Sequence, residues 1–127
     1  MSWDVVLIKT KTNKEAIEDI KSPLPFDRET FIKEIKKHVP DLNTEDKTWL
    51  LLNREYYSVE FNMGKDKKAD CIMLHIRGSK EPEDLFEIIK GKFQCRIFDC
   101  SSGEFIESGT ESAFGKWKEY RDKVIGK

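Results

Sequence analysis

Strict alternation of apolar and other side chains in two stretches of the chain limits its fold more than any other feature. In residues 71–79, "CIMLHIRGS", the apolar residues Ile72, Leu74 and Ile76 occupy alternate positions, and the residues between them are of other kinds. Residues 56–63 repeat this alternation. Successive side chains of a β-strand point to opposite sides of a sheet. Both stretches are therefore expected to be strands with one face in the core and the other toward water.

Signals at the ends of other segments locate further elements in the first half of the chain. The β-branched, apolar residues 3–9 predict a strand. Asp27 is a predicted helix N-cap, with Phe26 before it packing on Phe31 as a hydrophobic staple, and Pro40 ends the helix. Residues 48–52 are expected to form a hairpin with residues 56–63. A short helical turn is expected around Ala16, Ile17 and Ile20.

The second half of the chain predicts two more helices and a hairpin. Pro82 falls in the first turn of one helix, and Gly91 is expected to cap its C-terminal end. Residues 93–100 read as a strand that turns through "SSG" at 101–103 into another strand. Thr110 or Ser112 is expected to cap a last helix, whose side chains at helical spacing are Phe114, Trp117, Arg121 and Val124.

The predicted order is β, α, β, β, β, α, β, β, α, with hairpin-length links between most strands. Such links favour antiparallel pairing. We therefore expect one α+β domain spanning residues 1–127, with a mainly antiparallel sheet of about five to six strands and two to three helices packed on one face. A decorated ferredoxin-like layout is one candidate. The uncovered face would then be open to water.

Charge and composition exclude several classes of function. The 127 residues carry 23 Lys and Arg against 24 Asp and Glu, for a net charge of −1, so the chain lacks the basic field of a nucleic-acid binder. No apolar run approaches the roughly 20 residues of a membrane span. Three cysteines and no signal-peptide pattern favour the cytoplasm. Scattered glycines form no phosphate loop, and no cofactor is expected. A monomer and a homodimer both remain open.

Polar side chains on the outer face of the two alternating strands are the candidate binding residues. If these strands pair, the groups become cross-strand neighbours that can form ion pairs or bind a partner. A solvated sheet face, a surface for a protein partner and a catalytic site are three alternative interpretations. The candidates are Tyr56, Glu60, Asn62, His75 and Arg77.

Cysteine chemistry gives the alternative function, a small hydrolase or transferase with Cys100 as nucleophile and His75 as base. That pairing requires the strands of the two residues to be neighbours. A zinc site is not expected, because Cys71 and His75 would lie roughly 13 Å apart along one strand. The plainer interpretation of "DCSSGEF", residues 99–105, is a hairpin turn followed by an edge strand.

Five blocks of sequence resemble a group of small uncharacterised bacterial proteins: "MSWDVVL", "SVEFNMGKD", "MLHIRG", "DCSSGEFI" and "WKEYRD". The resemblance implies a bacterial, cytoplasmic single domain and assigns no reaction. In size and style the chain is also similar to the immunity proteins of bacterial toxin systems, an analogy of class alone. The leading hypothesis is a non-enzymatic protein-binding module whose open sheet face docks a partner, with toxin neutralisation as one such role.

Overall fold

The computed structural model of the protein describes residues 2–10, 20, 24–93 and 95–106. Its two helices are α1 (Arg28–His38) and α2 (Glu83–Phe93). Its strands are β1 (Trp3–Ile8), β2 (Phe26–Asp27), β3 (Trp49–Asn53), β4 (Tyr57–Asn62), β5 (Lys68–Ala69), β6 (Ile72–Gly78), β7 (Arg96–Asp99) and β8 (Glu104–Ile106).

Six strands form one antiparallel sheet in the order β3-β4-β6-β1-β7-β8. The elements β1, α1, β4, β6, α2 and β7 follow the β-α-β-β-α-β succession of a ferredoxin-like unit, and β3 and β8 extend its two edges. The α+β class and the antiparallel sheet are thus confirmed. The two-residue pairing of β2 with β5 was not expected from the sequence.

Both described helices pack on the same face of the sheet, as predicted. The ring of Trp3 in β1 lies 5.8 Å from that of Phe86 in α2, and Phe61 in β4 lies 6.4 Å from Phe31 in α1. These side chains belong to a single buried cluster that includes Leu74 and the other alternate apolar residues of β6. The predicted division of β6 into a buried and a less buried face is confirmed by its burial pattern.

Helix α1 begins as its sequence predicts. The carboxylate of Asp27 accepts a hydrogen bond of 3.0 Å from the backbone N–H of Thr30, which satisfies one of the free donors of the first turn. The ring of Phe26 packs edge-on against Phe31 at 5.8 Å, so the hydrophobic staple is also confirmed. The helix ends at His38, two residues before Pro40.

Helix α2 extends beyond its predicted end. Gly91 lies inside the helix instead of capping it, and β7 begins at Arg96 rather than at Phe93. The ring of Phe93 lies 4.7 Å from that of Phe31, so a contact between the two helices accompanies the extra turn. Tertiary packing here outweighs the weak helix propensity of glycine, which amounts to about 1 kcal/mol.

The β7–β8 hairpin is organised around a buried carboxylate. Asp99 is 1% exposed, and its Oδ1 accepts hydrogen bonds from the indole N–H of Trp3 at 3.0 Å and the backbone N–H of Ser101 at 2.9 Å. The N–H of Gly103 closes the turn on the backbone oxygen of Asp99 at 2.9 Å. The predicted hairpin turn is therefore confirmed.

Two predicted helical segments lie outside the described residues. They are the turn around Ala16, Ile17 and Ile20, of which only Ile20 is described, and the helix with Phe114, Trp117, Arg121 and Val124. Neither α1 nor α2, the helices in the described part of the chain, combines the length and apolarity that a membrane crossing requires.

Candidate binding surface

The sheet face opposite α1 and α2 carries a line of apolar side chains across its strands. Cross-strand register sets Met73 opposite Val6, Val6 opposite Phe98, and Phe98 opposite Phe105. The line continues past Asn62 to the far edge strand. We call it the apolar row: Trp49, Met73, Val6, Phe98 and Phe105.

Charged side chains lie directly beside the apolar row. His75 is opposite Glu60 on one neighbouring strand and opposite Asp4 on the other. Arg77, two residues further along β6, is opposite Ser58. The predicted pairing of the two alternating strands is therefore confirmed, and it brings Glu60, His75 and Arg77 together. We call Asp4, Glu60, His75 and Arg77 the charged patch.

An ion pair orients the arginine of this patch. Nη1 of Arg77 lies 3.0 Å from Oε1 of Glu60, and the two side chains are 47% and 31% exposed. An ion pair this open to water contributes less than about 1 kcal/mol to folding. Arg77 therefore has an established direction and remains accessible to a partner.

His75 is fixed by contacts from both sides. Its Nδ1 lies 2.7 Å from Oδ1 of Asp4, and its ring stacks on Trp49 with centroids 5.7 Å apart and planes 20° apart. Oδ1 of Asp4 also accepts a hydrogen bond from the hydroxyl of Ser2 at 2.7 Å. The imidazole is thus an ordered part of the surface, with one ring nitrogen already occupied.

A shallow groove of about 430 Å³ opens where β4 begins and β6 ends, and it joins Tyr56 to Arg77. Tyr56 is 47% exposed, and Nζ of Lys80 lies 4.1 Å from the centre of its ring. Its backbone oxygen accepts hydrogen bonds from the N–H groups of Ser79 and Lys80. The ring is therefore presented to solvent from an anchored backbone.

Asn62 is placed differently from the other predicted site residues. It is half-buried in the line of the apolar row, and its side-chain oxygen accepts a hydrogen bond of 3.3 Å from the N–H of Gly64. Its amide therefore supports the turn after β4. It lies on the predicted face but away from the groove that holds Tyr56.

An arginine in the wall of the groove ties the β3–β4 turn to the segments around both helices. Arg54 binds both carboxylate oxygens of Asp41, at 3.1 and 3.2 Å, and its Nη1 binds Asp84 at 2.7 Å and the hydroxyl of Tyr57 at 2.9 Å. The hydrogen bonds from Arg54 lower the pKa of Asp41, and burial raises the pKa of Tyr57. This network holds the groove in shape.

The cysteines do not assemble with a histidine base. Cys100 donates its backbone N–H to the oxygen of Asp4 on β1, while His75 lies on β6, at the other side of β1. Cys100 follows β7 in the turn, and β1 separates β7 from the β6 strand of His75, so the condition for the catalytic pair is not met. Burial, followed by the charges of Asp4 and Asp99, raises the pKa of the Cys100 thiol, which disfavours the nucleophilic thiolate.

The thiols of the other two cysteines are also held toward their protonated form. Burial raises the pKa of Cys95 to about 12 and also raises that of Cys71. Across the described ranges, no three Cys, His, Asp or Glu side chains lie close enough together to hold a metal ion.

Sequence reasoning missed three residues of this surface. Asp4 and Trp49 hold His75, and Nζ of Lys80 contacts the ring of Tyr56. Asp4 left a signal, because it is a single charge within the apolar stretch "WDVVLI". The roles of Trp49 and Lys80 depend on strand order and on the β6–α2 connection, which leave no local pattern.

Comparisons with protein-family models, with curated proteins and with solved structures found no match to this chain. The resemblance based on the sequence blocks therefore stays a prediction.

Proposed function

We propose that this chain is a non-enzymatic protein-binding module that docks its partner through the open sheet face. The observation that carries the proposal is the groove in which exposed Tyr56 and half-exposed Arg77 lie side by side. Tyrosine and arginine are enriched among the residues that dominate the energy of protein interfaces.

The surface is organised before any partner arrives. Strands β4 and β6 position the groove, Glu60 orients Arg77, and Arg54 holds the β3–β4 turn that forms part of its wall. Binding through fixed side chains loses less conformational entropy than binding through mobile ones. A carboxylate of the partner can bind Arg77 while hydrogen-bond donors of the partner bind Glu60. Complementary polar contacts of this kind would set specificity.

The apolar row supplies the area that a polar groove lacks. Met73, Phe98 and Phe105 are partly exposed beside the charged patch. Interfaces combine an apolar centre with a polar rim. The row and the patch together match that pattern, and we propose that the partner covers both.

The cysteine-dependent alternative has weaker support. It needs a thiolate and a nearby base, whereas the pKa of Cys100 is raised and β1 separates β7, the strand before Cys100, from the strand of His75. Toxin neutralisation is our prediction for the role of this binding, by analogy with the immunity proteins of bacterial toxin systems.

The test compares tagged wild type with Arg77→Glu and Lys37→Glu in pull-downs from native-host lysate, with mass spectrometry of retained proteins. Lys37 is a matched control because it is 60% exposed on α1, away from the open face. We expect one protein to be retained by wild type and by Lys37→Glu but lost by Arg77→Glu.

The identified partner is then titrated against the purified variants. Arg77→Glu is expected to weaken binding by roughly 30-fold or more, the usual range for a dominant interface residue. Its free energy of unfolding should change by less than about 1 kcal/mol, because the Arg77–Glu60 pair is exposed. Equal retention and equal affinity in the two charge-reversal variants would remove this face from consideration.

A further inference from the structure

A separate cavity of about 300 Å³ lies away from the open face, between the first turns of α1 and the last turn of α2. Its apolar wall consists of three phenylalanines: Phe31 packs on Phe93 at 4.7 Å and meets Phe26 edge-on at 5.8 Å. Small-molecule sites begin at about this volume and are lined mainly by apolar and aromatic groups. The cavity therefore has the size and lining of a site for a small ligand.

Two lysines line the same cavity, Lys9 after β1 and Lys92 in the last turn of α2. Neither forms an ion pair within the part of the chain that the structure describes. Nζ of Lys9 lies 4.9 Å from the centre of the Phe26 ring, so one cation is held directly over the apolar wall.

The acidic side chains at the cavity already have partners. Asp27 accepts the capping hydrogen bond from Thr30. Oε2 of Glu34 lies 3.5 Å from Nζ of Lys37, and Oε1 of Glu34 lies 3.5 Å from Nε2 of His38. Asp27 has only the neutral donors of Thr30 as hydrogen-bond partners, so among the described residues the cavity carries two lysines without an ion pair against one such carboxylate. Charge complementarity therefore favours an anionic ligand over a cationic one.

We propose that this cavity binds a small carboxylate with an aromatic or aliphatic body. The apolar body packs against Phe26, Phe31 and Phe93, and the carboxylate binds Lys9 and Lys92. A hydrogen bond to a charged group is stronger than one between neutral groups, and the lysines supply only donors. The site therefore discriminates an acid from the corresponding neutral amide, although both have the same apolar body.

The experiment titrates phenylpropanoate and phenylpropanamide into the full chain, with binding followed by calorimetry and by amide chemical shifts. The carboxylate is expected to bind saturably, with the largest shifts at Phe31 and Phe93, and at least about tenfold more tightly than the amide. Equal affinity for acid and amide overturns the assignment, as does the absence of saturable shifts at these phenylalanines.

Two variants test the role of the lysines. Lys9→Gln combined with Lys92→Gln should lower the affinity for phenylpropanoate by at least about tenfold and leave that for the amide nearly unchanged. Lys90→Gln is the matched control, because Lys90 lies on the same helix but pairs with Glu87 outside the cavity. An equal effect of the double variant and the control excludes a specific site, as does an unchanged affinity in the double variant.

Discussion

Replacing Gly78 by alanine should destabilise the protein more than any other exchange of glycine for alanine in the described chain. Gly78 ends β6 with a φ of 143°, a conformation that side chains with a Cβ rarely adopt. A Cβ built there would lie 2.3 Å from the backbone oxygen of Tyr56 and 2.6 Å from Cα of Tyr57. Because both are backbone atoms, no side-chain rotation can relieve the overlap.

The expected magnitude has two parts. A sparsely populated backbone conformation costs roughly 1–3 kcal/mol for a residue other than glycine, and overpacking adds about 1–3 kcal/mol. The overlap is relieved only if the end of β6 moves away from Tyr56. That movement would disturb the hydrogen bonds that the backbone oxygen of Tyr56 accepts from the N–H groups of Ser79 and Lys80. We therefore expect Gly78→Ala to lower the free energy of unfolding by about 2–6 kcal/mol, a large share of a typical 5–15 kcal/mol.

Two other glycines separate the cost of the backbone conformation from the cost of the overlap. Gly64 has a φ of 76° but no atom within 4 Å of an added Cβ, so Gly64→Ala should cost only about 1–2 kcal/mol. Gly91 is helical with equally open surroundings, so Gly91→Ala should stabilise by up to about 1 kcal/mol.

Urea unfolding monitored by circular dichroism gives the free energy of unfolding of wild type and of the three variants. From the most to the least stable, the expected order is Gly91→Ala, wild type, Gly64→Ala and Gly78→Ala. A Gly78→Ala variant no less stable than Gly64→Ala would refute the inference that the close approach to Tyr56 limits this position.

Two further predictions concern ionisable groups. Because hydrogen bonds from Arg54 lower the pKa of Asp41, this carboxylate stabilises the fold above its unfolded pKa of about 3.9, and the contribution is lost as pH falls through its lower folded pKa. Asp41→Asn should therefore cost up to about 1 kcal/mol at pH 7 and progressively less below pH 4, as measured by urea unfolding; a pH-independent difference would contradict this. In a Cys71→Ser background, Cys100 should be alkylated at pH 7.5 more slowly than a free thiol, because its pKa is raised, and Cys95 should react only on unfolding. Alkylation of Cys100 as fast as a free thiol would contradict the expectation for Cys100. Reaction of Cys95 in the folded protein would contradict the expectation for Cys95.

Local patterns in the sequence determined the elements and the class of the fold. The alternation in β4 and β6 identified strands with one buried face, and Asp27 with Phe26 identified the start of α1. These signals succeed because side-chain alternation and helix capping depend on residues within a few positions of one another. The end of α2 was predicted wrongly because it involves Phe31, which lies in another helix.

The candidate site was only partly readable from the sequence. Alternation placed Glu60, His75 and Arg77 on the correct face, because parity along a strand requires no tertiary information. The sequence could not show that β1 lies between β6 and β7, and this strand order separates His75 from Cys100 and joins it to Asp4. The apolar row, the groove beside Tyr56 and the cavity lined by Lys9 and Lys92 likewise bring together segments that are far apart in the chain. Only tertiary structure decides such neighbours, because pairing between strands far apart in the chain depends on the packing of the whole sheet.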